Sequence, residues 1–220
     1  MNLAEKYRPA KLADVVGQDK AVARVELARK LGKRCYWIAG PTGSGKTTIA
    51  RIIAHEHCGG AEGVTELDSA GEVNAEQLER IDAALSVRFV WGGMERRAWI
   101  INEAHYLKTG AVAKLLGILE RIERDADGRV LVIFTTTNDG EDKLFGDSID
   151  AGPLLDRCAR VKLTNQGLAQ VFAERVRTIA QAEGLDGRPV AEYVKLAQRC
   201  RNSCRAMLAE VEAGAMMGGV

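Results

Sequence analysis

Several things are scarce in this chain, and each scarcity excludes something. Aromatic residues make up only 5% of its 220 positions, although hydrophobic residues in total reach 46%, ample for a buried core. There is no excess of charge of one sign: 31 Lys and Arg face 30 Asp and Glu, a formal net charge of +1. The chain is therefore no polycation, and any nucleic-acid contact has to come from local placement of Lys and Arg. Five cysteines, Cys35, Cys58, Cys158, Cys200 and Cys204, are scattered, odd in number and without paired C-x-x-C motifs. That argues against a disulfide framework or a zinc ribbon and for reduced, intracellular thiols. His55, His57 and Cys58 lie together at a helix end, where cationic side chains suit the dipole, and no fourth ligand is near. Long apolar runs are missing too, which excludes a membrane-spanning helix. The segment Met1 to Pro9 is charged and lacks the apolar centre of a signal peptide. The expectation is a soluble cytoplasmic protein with no membrane partner, built as one large domain or as a core with a small appendage.

What is present centres on Gly40-Pro41-Thr42-Gly43-Ser44-Gly45-Lys46-Thr47, with Thr48 behind it. This fits G-x-x-x-x-G-K-[ST], the phosphate-binding P-loop. An apolar, strand-like run (Cys35 to Ala39) precedes it, and Ile49, Ile52 and Ile53 follow at helical spacing. Glycines let consecutive backbone N–H groups face one concave pocket, and the helix N-terminus adds partial positive charge there. Lys46 is placed to reach the β- and γ-phosphates, and the Thr47 hydroxyl to ligate Mg²⁺.

Read in order, residues 2–18 form an extended lead-in, because Pro9 keeps Arg8 out of a helix. The spacing predicts helices over 19–31, from the P-loop to about 58, over 74–85 and over 110–122. Asn74 with Gln77 suggests a capping box. Strands are expected over 35–39, 64–68, 98–101, 130–137 and 160–163, with a polar loop over 139–152. After Thr164 the strands stop, and helical segments are expected over 166–183, 189–200 and 203–213. Strands alternating with helices read as an α/β fold with a parallel sheet, and the later switch to all-helix marks a small appendage.

A P-loop enzyme needs an acidic metal partner and a group to orient the attacking water, usually at the end of a neighbouring buried strand. Asn102-Glu103-Ala104-His105 sits there, with Glu103 as the residue to polarise water. Asn102 stands where an aspartate is expected. Its carbonyl oxygen can face a metal-bound water, but it lacks the charge that favours Mg²⁺. Asn138, ending the next strand, is placed to hydrogen-bond the attacking water or the γ-phosphate.

The wider pattern resembles one family. Glu5-Lys6-Tyr7-Arg8-Pro9, followed by Asp14-Val15-Val16-Gly17-Gln18, is similar to the opening of clamp-loader ATPases of the AAA+ superfamily. That group includes replication factor C small subunits and the bacterial gamma/tau subunit. Glu66-Leu67-Asp68-Ser69-Ala70 resembles their segment after strand two. Asn102 to His105 resembles their Walker B, Thr136-Thr137-Asn138 their sensor 1, Leu155-Asp156-Arg157-Cys158 their arginine-finger motif, and Asn202 to Leu208 their sensor 2. The motifs keep the family order across residues 5–208.

The resemblance implies an αβα P-loop ATPase core with a five-stranded parallel sheet over residues 1–163 and a helical lid over 164–220. It implies ATP and Mg²⁺ as ligands, with Thr47 and Asn102 at the metal and Tyr7, Arg8 and Val16 near the adenine. Arg157 would act in trans on a neighbour's γ-phosphate, and Arg205 would reach the phosphates from the lid. The implied partners are other AAA+ protomers, primer–template DNA and a sliding clamp, with Lys108, Thr109 and Lys114 as candidate DNA-phosphate contacts. The setting would be cytoplasmic, at the nucleoid or in a phage replication machinery. Departures stand beside this: Asn102 for the Walker B aspartate, Asp156 for a serine, no four-cysteine module, and no collar domain after the lid. They leave two other readings, a branch-migration type of DNA remodeller and a nucleotide-binding structural subunit with weak hydrolysis.

Overall fold

The computed structural model describes residues 2–86, 96–137 and 152–218. Among them, five strands form one parallel sheet: β1 (Cys35–Ala39), β2 (Val64–Leu67), β3 (Arg97–Ile101), β4 (Val130–Thr136) and β5 (Ala159–Lys162). Their order across the sheet is β2-β3-β4-β1-β5. The register sets Trp37 beside Phe134 and Arg160, and Ile100 between Glu66 and Ile133. β1 and β4 are buried at every position, as expected of parallel strands covered on both faces. The β-branched run of β4 suits that pleated, enclosed environment.

Alternation along the strands sorts the core into two layers. Trp37, Trp99 and Phe134 face α4 (Ala75–Ser86) and α5 (Thr109–Arg124). The Trp37 and Phe134 rings lie 5.7 Å apart. Tyr36, Ile38, Ile100 and Ile133 face α2 (Asp19–Lys30) and α3 (Lys46–Cys58). Each fully buried isoleucine here stabilises the fold by about 1.5–3 kcal/mol. α3 stops at Gly59, whose left-handed φ of 76° lets Gly60 N–H bond His55 O at 3.0 Å. The expected capping box of α4 is half made. Asn74 Oδ1 accepts from Gln77 N at 2.9 Å, but Gln77 Oε1 is buried without a partner among the described residues.

After the short α6 (Gly152–Asp156) and β5, the described chain is helical: α7 (Ala169–Ala182), α8 (Val190–Arg199) and α9 (Cys204–Glu212). They enclose a third core around Val176, Tyr193, Leu196 and Met207. α7 starts later than the apolar spacing suggests, because Gly167 turns the chain with a φ of 73°.

The lead-in is not wholly extended as expected. Leu3–Lys6 form one helical turn, α1, capped by Asn2 Oδ1 on Glu5 N at 2.9 Å, and Leu12–Asp14 form a 3₁₀ turn. The cause is tertiary: Leu3 is buried in the third core, and its N–H bonds Glu212 Oε1 at 2.6 Å. No helix among the described residues is long and apolar enough to cross a membrane. Asn138 and residues 139–151 of the loop expected over 139–152 lie outside the described residues, and Gly152 already begins α6.

Candidate functional site

The loop from Gly40 to Gly45 leaves the C-terminal end of β1, a central strand, and feeds α3. Gly45 caps α3 with φ 99°, a left-handed conformation that side chains resist. Gly43 also has a positive φ, 77°, and a Cβ there would lie 2.2 Å from Ser203 Oγ at the start of α9. The P-loop and the helical region are thus in direct contact. Asn165 Nδ2 adds a hydrogen bond to Thr42 O at 3.3 Å, and Gln18 Nε2 bridges Thr164 O at 2.7 Å and Ser44 O at 3.3 Å.

Lys46 is almost fully buried, and its ammonium donates to Gly40 O at 2.8 Å and Pro41 O at 3.0 Å. Burial pushes its pKa below the ordinary lysine value, although the Glu103 carboxylate pulls the other way. Ser44 Oγ is buried with no hydrogen-bond partner among the described residues. A cationic side chain, an unpartnered hydroxyl and a helix N-terminus in one concave loop fit a polyphosphate.

Two clefts meet here. The first is lined by Tyr7, Arg8, Val16, Gly43, Ser44, Gly45 and Thr48 on one side and by Phe172, Arg175, Ile179, Arg205 and Leu208 on the other. Its mixed apolar and cationic lining suits a base and its phosphates. Tyr7 OH donates to Glu183 at the end of α7, and Arg8 Nη1 donates to Thr48 Oγ1 at 2.9 Å while pairing with Glu5. The N-terminal arm therefore ties α3 to the helical region across the cleft.

The second cleft is polar and shares Arg8 and Arg205 with the first. It is lined by Glu5, Thr47, Arg51, Glu66, Asp68, Asn102 and Glu103. Asn102 Oδ1 accepts from Thr135 Oγ1 at 2.7 Å and from Thr47 Oγ1 at 3.4 Å, while its amide donates to Glu66 Oε1 at 2.9 Å. Glu66 Oε2 in turn accepts from Arg51 Nε at 2.7 Å. Among the described residues no set of three or more His, Cys, Asp and Glu is arranged to hold a metal. Mg²⁺ does not demand one, because it keeps several waters and takes few protein oxygens. The paired oxygens of Thr47 and Asn102, with carboxylates behind them, fit such a hard cation.

Glu103, two residues past the end of β3 and at the start of a 3₁₀ turn over Ala104–Tyr106, lies in the left-handed region, φ 51° and ψ 51°. That conformation costs of order 1–3 kcal/mol and persists only when the surroundings enforce it. Glu103 Oε2 lies 3.5 Å from His105 Nδ1, which lies 3.2 Å from Thr136 Oγ1 of β4. Arg205 is exposed to both clefts, and no hydrogen bond or ion pair holds its side chain among the described residues.

Other expected site residues are not gathered here. Arg157 lines neither cleft; it pairs with Glu120 of α5 and donates to Pro153 O at 2.7 Å. Lys108, Thr109 and Lys114 are exposed on the first turns of α5 and just before them. Sequence reasoning did not single out Glu66, Asp68, Arg175 or His105 for roles at the site. Glu66 and Asp68 stand in a motif it noted, yet only the pairing of β2 with β3 puts Glu66 beside Asn102.

A family model for the ATPase family associated with various cellular activities (AAA) matches residues 36–163, more than half of the chain. The chain belongs to the AAA family. This AAA chain is 31% identical to DNA polymerase III subunit gamma/tau of Mycobacterium tuberculosis over 160 residues, 62% of this chain and 27% of that protein. It is 30% identical to the replication factor C small subunit of Methanoregula boonei over 190 residues, 85% of this chain and 55% of that one. These are the groups its motifs resemble, and the chain falls with that clamp-loader branch of AAA proteins. It spans between about a quarter and about half the length of these relatives. Among solved structures it is similar to the Holliday junction branch migration motor RuvB of Thermotoga maritima. The TM-score is 0.64 at 24% identity, covering 94% of this chain and 64% of that one. At that identity the likeness shows a shared fold alone.

Proposed function

We propose that this chain binds and hydrolyses ATP as a clamp-loader-type subunit acting on primer–template DNA. The observation that carries the reading is the convergence of Thr47, Glu103 and Arg205 on clefts adjoining the P-loop, in which Lys46 is held against Gly40 O and Pro41 O, with Arg157 lining neither cleft. In this reading the P-loop N–H groups and Lys46 hold the phosphates. Thr47 and Asn102 would hold Mg²⁺, which neutralises charge on the transferring phosphoryl group. Glu103 orients and deprotonates the attacking water. Asn138, outside the described residues, would hydrogen-bond that water. Tyr7, Arg8 and Val16 border the adenine, and Arg205 reports the γ-phosphate to the helical region. Arg157 completes a neighbour's site, so full turnover needs other AAA+ protomers. Lys108, Thr109 and Lys114 contact the DNA backbone, and a sliding clamp is the protein partner.

The test is steady-state ATP hydrolysis by the purified chain, alone and with candidate partner subunits, with and without primed DNA and a sliding clamp. Stimulation by primed DNA plus clamp supports the reading. Stimulation by four-way junction DNA alone would favour the branch-migration alternative, and nucleotide binding with no turnover under any condition would favour the structural subunit. The amide at Asn102 is what keeps that last reading in view.

A further inference from the structure

The polar cleft holds a specific anomaly: an amide stands where a carboxylate is expected, and a carboxylate stands directly behind it. Parallel pairing of β2 with β3 sets Glu66 beside Ile100, two residues before Asn102, so Glu66 and Asn102 share the sheet face that packs under α3. There the Asn102 amide donates to Glu66 Oε1 at 2.9 Å. The hydroxyls of Thr47 and Thr135 both donate to the amide oxygen. With a carboxylate on one side and two hydroxyl donors on the other, only one orientation of the amide satisfies every group. The oxygen therefore faces Thr47, and the negative charge lies one hydrogen bond further back.

We infer that Asn102 and Glu66 act together as a divided carboxylate, Asn102 supplying the metal-facing oxygen and Glu66 the charge. This rests on the nucleotide–metal reading of the site. A carboxylate accepting from the amide N–H polarises the amide and makes its oxygen a stronger acceptor, as hydrogen bonds in series do. Arg51 occupies the other oxygen of Glu66, fixing its orientation. Arg51 also lies 3.9 Å from Glu5 and is partly exposed, so its charge is shared and partly screened. Glu66 is a positioning residue in this scheme, acting through Asn102.

The experiment is a double-mutant cycle read by binding of a fluorescent ADP analogue, with Mg²⁺ titrated from EDTA upward. Glu66→Gln should raise the half-saturating Mg²⁺ concentration at least tenfold and leave affinity in EDTA within about twofold, because the P-loop is untouched. Adding Asn102→Asp to Glu66→Gln exchanges amide and carboxylate while preserving their hydrogen bond, and should return Mg²⁺ dependence to within about threefold of the parent. Asn102→Asp alone places two carboxylates side by side, so its effect should differ from the one it has in the Glu66→Gln background, where its neighbour is uncharged.

The inference is overturned if Glu66→Gln leaves Mg²⁺ dependence unmoved, or weakens binding equally in EDTA. Failure of the folded double variant to recover Mg²⁺ dependence, with thermal melting as the check on folding, also overturns it. If the parent chain binds no nucleotide with or without Mg²⁺, the nucleotide reading itself falls and takes this one with it.

Discussion

Arg157 is paired with Glu120 of its own chain. The guanidinium sits between that carboxylate and Pro153 O, and its side chain is about a quarter exposed, that of Glu120 more so. Such a pair is worth only about 0–1 kcal/mol, so exchanging Glu120 for a neighbour's phosphate costs little. Arg157→Ala should leave ADP affinity unchanged and lower hydrolysis in an assembly by about 10³-fold or more. Mixing Arg157→Ala with Glu103→Gln, each inactive alone, should recover turnover, because an intact Glu103 then meets an intact Arg157 across the interface. Mixed protein no more active than its separate components would rule out action in trans.

Lys46 separates binding from folding. Its ammonium is desolvated, so folding disfavours the charged form and depresses its pKa. That unfavourable contribution is present while lysine is charged in both states and fades as pH rises through the folded-state pKa. Lys46→Ala should weaken nucleotide binding by roughly 100-fold or more, yet shift Tm by no more than about 2–4 °C. A collapse of Tm with binding would make Lys46 a structural residue.

The contact between Gly43 and Ser203 offers a test of how tightly the helical region must sit on the P-loop. In Gly43→Ala the new methyl would lie 2.2 Å from Ser203 Oγ and 2.8 Å from its Cβ, at a left-handed φ. Backbone strain alone costs about 1–2 kcal/mol. Affinity for ADP should fall, and Ser203→Gly should recover part of the loss by removing the opposing side chain. At Gly45 the nearest atom to such a methyl is 4.0 Å away, so Gly45→Ala suffers strain without the clash and has nothing for Ser203→Gly to recover. Equal recovery at both positions would refute the contact.

Acid should loosen the helical region through Asp186. Burial alone would raise the pKa of this carboxylate, but hydrogen bonds from Tyr193, Gln181 and Arg177 outweigh it and hold the value below the ordinary 3.8. A depressed carboxylate contributes stability that is present above its unfolded-state pKa and lost as pH falls through the folded-state value. Asp186→Asn should cost on the order of 1–2 kcal/mol at pH 7, with the gap to the parent closing as pH falls below the ordinary 3.8. Denaturant titrations on either side of that pH would measure this, and a gap that does not shrink on the acid side would contradict it.

How much of this was legible in the sequence depended on range. The P-loop, β1, β4 and the helix after the loop are local patterns, set by glycine placement, β-branching and a 3.6-residue period, and the structure has them where those patterns place them. The break between α8 and α9 was legible too, and Arg201 and Asn202 both turn there with positive φ. What was missed is non-local. The helical turn at Leu3–Lys6 exists because Leu3 is buried against α9, which no pattern within residues 2–18 encodes. Glu66 became part of the site only once β2 was known to lie beside β3. Gln77 had the residue type for a reciprocal cap, but its side-chain oxygen does not close it.

The seating of Leu3 among the last helices has a consequence for how the chain is made. Its N–H bonds a carboxylate 209 positions later. At about 5–20 residues per second, a ribosome needs roughly 10–40 s to cover that interval. Through that time the first helical turn has no core to enter, and the third core lacks Leu3 until the last described helix has emerged. The sheet can assemble early, whereas the arm that spans the nucleotide cleft locks only after α9 has been made.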